Sequence, residues 1–273
     1  MATWVYLALA GAVLCYAASS LLLSQGADHV RGRHYLAGLG AQGVAFVLAF
    51  AARHSAPLLI VQAAVTTSVA VTAVVGARLG RWRLTAGDGV ALAAVVGAIA
   101  LLGACAESGP ATPLTGGPLL ICTVVTLGAL TGAAMPLPRS ARGATLGALA
   151  GIGFGGSAIA ARALSGDPAA MLHALRSLDG LLAAGLIVAG LLVGQLMLTL
   201  AFRSADPAHR APGTGSSGSV TGPVSAMYLL STVWPTVAGL AWLGDKVKPG
   251  RGGLAVVGLA VALGGSMALA RHE

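Results

Sequence analysis

The side chains on which proton coupling, metal binding or acid–base catalysis would rest are the carboxylates Asp28, Asp88, Glu107, Asp167, Asp179, Asp206, Asp245 and Glu273. Each falls in a polar gap or at the edge of a long apolar run. A charge at the centre of a bilayer costs about 2.5–3.5 kcal/mol on insertion scales, so a carboxylate at depth would mark function. This sequence places none there. No Ser and His, no paired Asp and no metal-ligand set share an apolar run, so nucleophilic and acid–base chemistry have no candidate residues. The pattern predicts a protein that is not an enzyme, with no metal and no cofactor. Cys15, Cys105 and Cys122 lack zinc or redox spacing. They read as buried thiols, with a Cys105–Cys122 disulfide across one loop as the alternative.

What remains is uncharged polarity within apolar runs. Gln62 and Thr66 are one helical turn apart and share a face. Tyr228, Thr232 and Trp234 lie beside Pro235, a helix break that frees a backbone carbonyl. Gln42 and Gln195 occupy comparable places in the two halves of the chain, and Tyr16 is followed by Ser19 and Ser20. The candidate substrate-binding residues are therefore Tyr16, Gln42, Gln62, Thr66, Gln195, Tyr228, Thr232 and Trp234. Each also has a structural reading. A membrane Ser or Thr bonds its own helix backbone, a Gln ties helices together, and Tyr or Trp near a helix end joins the interfacial belt, as Trp4 and Tyr6 do. The glycine run LGALAGIGFGG at 146–156 reads as a close-packing helix face. It has no preceding strand and no acid about 20 positions on, so it is not a nucleotide loop.

The elements that must position these residues are membrane helices. Hydrophobic residues make up 56% of the 273 positions and charged residues 9%, against about 25% charged in soluble domains. A bilayer core about 30 Å thick needs about 20 helical residues. Nine apolar segments of that kind follow one another, at 3–23, 34–52, 57–78, 86–105, 117–135, 143–161, 180–202, 223–243 and 252–270. The first is too long for a cleaved signal peptide and reads as a helix. The Gly/Ser-rich stretch at about 204–222 reads as a flexible loop. The net charge of +8 resides in gaps between apolar runs, as cytoplasmic loops and anionic headgroups require, and not in a nucleic-acid-binding stripe. In the first half Arg31, Arg33, Arg78, Arg81 and Arg83 fall on one side and Arg53 on the other, which puts the N-terminus outside and the C-terminus in the cytoplasm. Arginine far outnumbers lysine, and Ala and Gly abound, as in GC-rich bacteria; the implied location is a bacterial cytoplasmic membrane.

VVGAIALLG at 95–103 aligns with VVGLAVALG at 256–264, and LAFAARHSAP at 48–57 with LTLAFRSADP at 198–207. Their order divides the chain into a first unit of four helices (1–106), a linking helix (107–142) and a second unit of four (143–273). An odd number of crossings per step inverts the second unit in the membrane. The expected fold is all-α and polytopic, with about nine transmembrane helices in two inverted four-helix repeats plus one linking helix. Such repeats build secondary transporters with a site near the midplane.

SAPLLIVQAAVTTSVAVTAVVGARLGRWRLTAGDGVALAAVVGAIALLG at 55–103 and STVWPTVAGLAWLGDKVKPGRGGLAVVGLAVALGG at 231–265 resemble the last two helices of each half in the drug/metabolite transporter superfamily, the EamA-like group. Pro235 stands at the family's proline position and Gly244-Asp245 at its Gly-acid pair; the first half lacks both. The four-one-four layout is similar to the nine-helix, NIPA-like branch. The resemblance implies alternating-access transport of a small organic metabolite or drug-like solute. Proton coupling through a first-helix carboxylate, and magnesium binding, both lack their residues here. The alternative is a non-transporting scaffold or accessory subunit, or a lipid-linked-sugar flippase, of a cell-envelope assembly. The expected partners are a small solute and the bilayer, not nucleic acid, with a homodimer or an envelope protein as further options.

Overall fold

The computed structural model describes residues 3–26, 32–53, 56, 58–79, 85–107, 112–134, 136, 139–164, 168–205 and 221–271. Most of the Gly/Ser-rich stretch at about 204–222 lies outside the described residues. The elements in order are α1 (Thr3–Gly26), α2 (Arg33–Arg53), α3 (Leu58–Arg78), α4 (Ala86–Cys105), β1 (Ala106–Glu107), α5 (Gly116–Ala133), α6 (Arg139–Leu164), α7 (Pro168–Ala174), α8 (Leu178–Ala205), α9 (Thr221–Trp242), β2 (Lys246–Val247) and α10 (Gly252–Arg271). Every apolar segment of the sequence overlaps one long helix. The short helix α7 has no counterpart among those segments.

Among the described residues the fold is all-α apart from one small ladder. Four helices among them, Thr3–Gly26, Arg33–Arg53, Ala141–Leu164 and Leu178–Ser204, are long and apolar enough to cross a membrane. Apolar side chains line the outside of the bundle as well as its interior: Leu7, Leu14, Val47, Val90, Leu120, Leu192 and Val256 are all exposed. A helix apolar all round is matched to lipid rather than water.

Packing follows from small residues. In the first half α1 lies against α2 and α3, and α3 against α4; in the second α6 lies against α8 and α9, and α9 against α10. The halves meet where α3 touches α9 and α4 touches α10, while α5 rests on α6 and α8. On α6 the glycine run packs closely on two sides. A side chain on Gly147 or Gly151 would overlap the backbone of Pro223 or Met227, and one on Gly155 would lie 2.9 Å from Trp234 Cδ1. One on Gly153 would meet Gly194 N at 2.6 Å. Glycines four apart thus let α9 approach, and Gly153 admits α8, since backbones close in where side chains are absent. Between α4 and α10, Gly258 faces Leu102 and Gly265 faces Val95. Rising numbers on one helix meet falling numbers on the other, so these two helices run antiparallel.

The main apolar core gathers Val5, Leu9, Leu23, Val61, Met197, Phe202 and Met227 between α1, α3, α8 and α9. A second cluster, with Cys122, Ile159, Leu186 and Leu243, fills the space under α5. All three cysteines are free, so the disulfide alternative falls away.

Candidate functional site

A cleft opens inside the main core, with walls from both halves. From α1 come Tyr16, Ser19 and Ser20; from α2 Gln42, Phe46 and Arg53; from α3 Val65. From the second half come Phe154 and Ser157 on α6, Leu191 and Leu198 on α8, and Met227, Tyr228 and Ser231 on α9. The offsets of four and eleven residues between Gln42, Phe46 and Arg53 keep all three on one helix face. The enclosed part of the cleft has a volume of about 50 Å³. At 10–15 Å³ per water, the enclosed part has room for about four waters or one compact polar group.

Of the residues singled out from sequence, Tyr16, Gln42 and Tyr228 line this cleft. Ser19 Oγ donates to Gln42 Oε1 at 3.5 Å. Ser68 Oγ donates to Tyr228 OH at 2.7 Å, a buried bond across the α3–α9 junction. Gln195 turns elsewhere: its Nε2 donates to Tyr35 OH at 3.2 Å, and that phenol lies 2.9 Å from Thr199 Oγ1. This is a tie between α2 and α8, and Gln195 makes no bond to Gln42 among the described residues. Thr232 donates to the Tyr228 carbonyl at 2.8 Å and Thr236 to the Thr232 carbonyl at 2.7 Å, so both hydroxyls bond their own helix around Pro235. Trp234 packs on the second apolar cluster, edge-on to Trp242 with ring centroids 6.1 Å apart. The side chains of Gln62 and Thr66 lie outside the described residues.

The largest departure from the sequence reading concerns charge. Arg53 and Asp245, expected in polar gaps or at the edges of apolar runs, are 3% and 7% exposed, and Arg162 is 5% exposed. The cause is the path of the chain after α9. Gly244 has φ +75°, a left-handed conformation that glycine adopts without steric cost. It turns Asp245 back over the helix end, where the Asp245 amide donates to the Gly239 carbonyl at 3.0 Å. Gly239 leaves room for the carboxylate: a Cβ there would lie 2.7 Å from Asp245 Oδ2. Arg162 Nη2 donates to Asp245 Oδ1 at 3.3 Å, and Arg162 Nη1 donates to the Arg53 carbonyl at 3.2 Å. Burial pushes the Asp245 carboxyl up, and the Arg162 guanidinium pulls it back part of the way. Removing one partner of such a buried pair costs about 3–5 kcal/mol.

Arg53 is differently placed. Its guanidinium sits over the Phe46 ring, 5.5 Å from the centroid. Its Nε and Nη1 are buried without a hydrogen-bond partner among the described residues. A cation–π contact contributes about 0.5–2 kcal/mol, which does not offset the several kcal/mol needed to take a guanidinium out of water. Among the described residues the cleft therefore holds a cation whose charge is balanced only in part. Spacing alone could not reveal this, because an Arg at the end of an apolar run looks like an interfacial residue until the neighbouring segments are packed.

The same end of the bundle is closed by backbone. β1 and β2 pair antiparallel, Ala106 with Val247 and Glu107 with Lys246. Lys248 Nζ and Arg251 Nη1 both donate to the Ala104 carbonyl, at 3.1 and 2.9 Å. Cations at the last carbonyls of a helix also complement its dipole. The donors and apolar walls of the cleft suit reversible binding of a small molecule. Comparison with protein-family models, with curated proteins and with solved structures returned no match.

Proposed function

We propose that the chain is a secondary transporter of the drug/metabolite type, moving a small organic solute by alternating access. The observation that carries this reading is the cleft, apolar with a few polar side chains, walled by helices from both halves of the chain. The order of neighbours supports it: α1 with α2 and α3 has the same arrangement as α6 with α8 and α9, and the like pairs α3–α9 and α4–α10 meet at the junction. In this reading the nine long helices all cross the bilayer in two inverted units joined by α5. The protein resides in a bacterial cytoplasmic membrane with its N-terminus outside.

The test is solute flux in proteoliposomes containing the purified protein. Gln42→Leu and Tyr228→Phe each remove a polar group from the cleft and are expected to lower flux about tenfold, the equivalent of about 1.4 kcal/mol. Wild-type flux in both variants would remove the cleft from the transport path. No flux, together with a partner that co-purifies in stoichiometric amount, would favour an accessory subunit instead. Cysteine labelling from either side tests the inverted arrangement; a shared orientation of the two units would end the transporter reading.

A further inference from the structure

We propose that the solute is a small organic anion whose carboxylate, or a comparable oxyanion, docks on Arg53. This deepens the transporter reading and rests on it. Three observations converge. Arg53 lines the cleft, is 3% exposed, and its buried Nε and Nη1 have no hydrogen-bond partner among the described residues. The neighbouring Arg162 is engaged by Asp245, so the buried cluster of two guanidinium groups and one carboxylate carries one positive charge in excess. The rest of the cleft supplies hydroxyl and amide groups from Tyr16, Ser19 and Gln42, and apolar walls from Phe46 and Phe154.

A guanidinium presents a planar fork of donors that matches a carboxylate in two parallel bonds. The Nε–H shares its edge of the fork with Nη2, and Nη1 shares the other edge with Nη2, so a single oxyanion meets Nε or Nη1 but not both. An oxyanion there would supply one of the missing acceptors and balance the charge. The phenylalanines suit a compact apolar or aromatic body behind the charged head. A neutral solute would leave the Arg53 charge uncompensated, and a cationic one would add to it.

The experiment measures binding of benzoate, benzamide and benzylammonium, three probes of nearly equal shape and different charge, to the full-length protein in nanodiscs of zwitterionic lipid. Benzoate is expected to bind at least about tenfold more tightly than benzamide, as for charge-assisted bonds to a desolvated Arg, and benzylammonium more weakly than both. In Arg53→Met the advantage of benzoate over benzamide should vanish while benzamide binding persists, which shows the cleft intact. Arg53→Lys should keep part of the preference. Equal binding of the three probes by the wild type, or a benzoate preference that survives Arg53→Met, would overturn the assignment. If Arg53→Met does not yield folded protein, the wild-type series and Arg53→Lys decide alone. Weaker benzoate binding in discs containing phosphatidylglycerol would give the site to a lipid headgroup and overturn the free-solute assignment; unchanged affinity supports it. Benzoate binding without flux would remove the transporter and leave the anion site. Flux of a neutral solute, with no benzoate preference, would do the reverse.

Discussion

Two buried arginines stand side by side at one end of the bundle and meet opposite fates. Arg162 is held by Asp245 and by the Arg53 carbonyl, both parts of the protein. Arg53 leans on a phenylalanine and lines the cleft, its buried Nε and Nη1 without a hydrogen-bond partner among the described residues. A charge satisfied by its own chain fixes geometry, whereas a charge left partly unsatisfied stores affinity for something else. The same side chain is therefore a brace in one place and a binding group in the other, and burial alone does not tell the two apart.

Stability measurements can break that comparison most directly. Asp245→Asn and Arg162→Met should each destabilise the protein by about 3–5 kcal/mol, because each strands a buried charge or polar partner. Joint replacement by Arg162→Met with Asp245→Leu should recover much of the loss. Arg53→Met should unfold no more easily than the wild type, since it removes a charge the protein does not balance. Denaturant titration in mixed micelles checks all four; equal losses at Arg53 and Arg162 would erase the distinction. Overpacking comes next: Gly151→Ala pushes a methyl into the Met227 backbone and should cost about 1–3 kcal/mol, whereas Gly97→Ala, with nothing within 4 Å, should change thermal stability by no more than about 0.5–1 kcal/mol. Gly244→Ala sharpens the question of what holds Asp245 in place. The alanine must take a left-handed conformation at a cost of about 1–2 kcal/mol, and it should loosen the Arg162 pair without altering ligand charge preference. Smallest is Ser68→Ala, which removes the bond to Tyr228 and should cost about 0.6 kcal/mol, the mean for interhelical hydrogen bonds in a membrane.

Much of the helical layout was legible in the sequence because apolar runs near 20 residues leave few other options. The glycine spacing of α6 foretold close approach, and the structure places α9 and α8 against those positions. Pro235 was read as a break, yet α9 runs through it from Thr221 to Trp242, and the hydroxyls of Thr232 and Thr236 bond carbonyls of that same helix. The cleft was only partly legible. Tyr16, Gln42 and Tyr228 could be chosen as polar residues in apolar surroundings, and they line it. Gln195 met the same criterion but is committed to Tyr35. Which polar group faces a partner and which faces a void depends on tertiary approach, and one helix's periodicity does not contain that. Arg53, Arg162 and Asp245 escaped for the same reason: the turn at Gly244 brings together residues far apart in the chain. Gly244 beside an acid was the one local hint.

The fastening of α4 to the segment before α10 has a mechanical corollary. With the two-residue ladder and both cations on the Ala104 carbonyl, the first and second halves are pinned at one corner. If one half were to turn on the other, as the transporter reading requires, these bonds would lie nearest the pivot, and the pin would serve as a fulcrum rather than a gate.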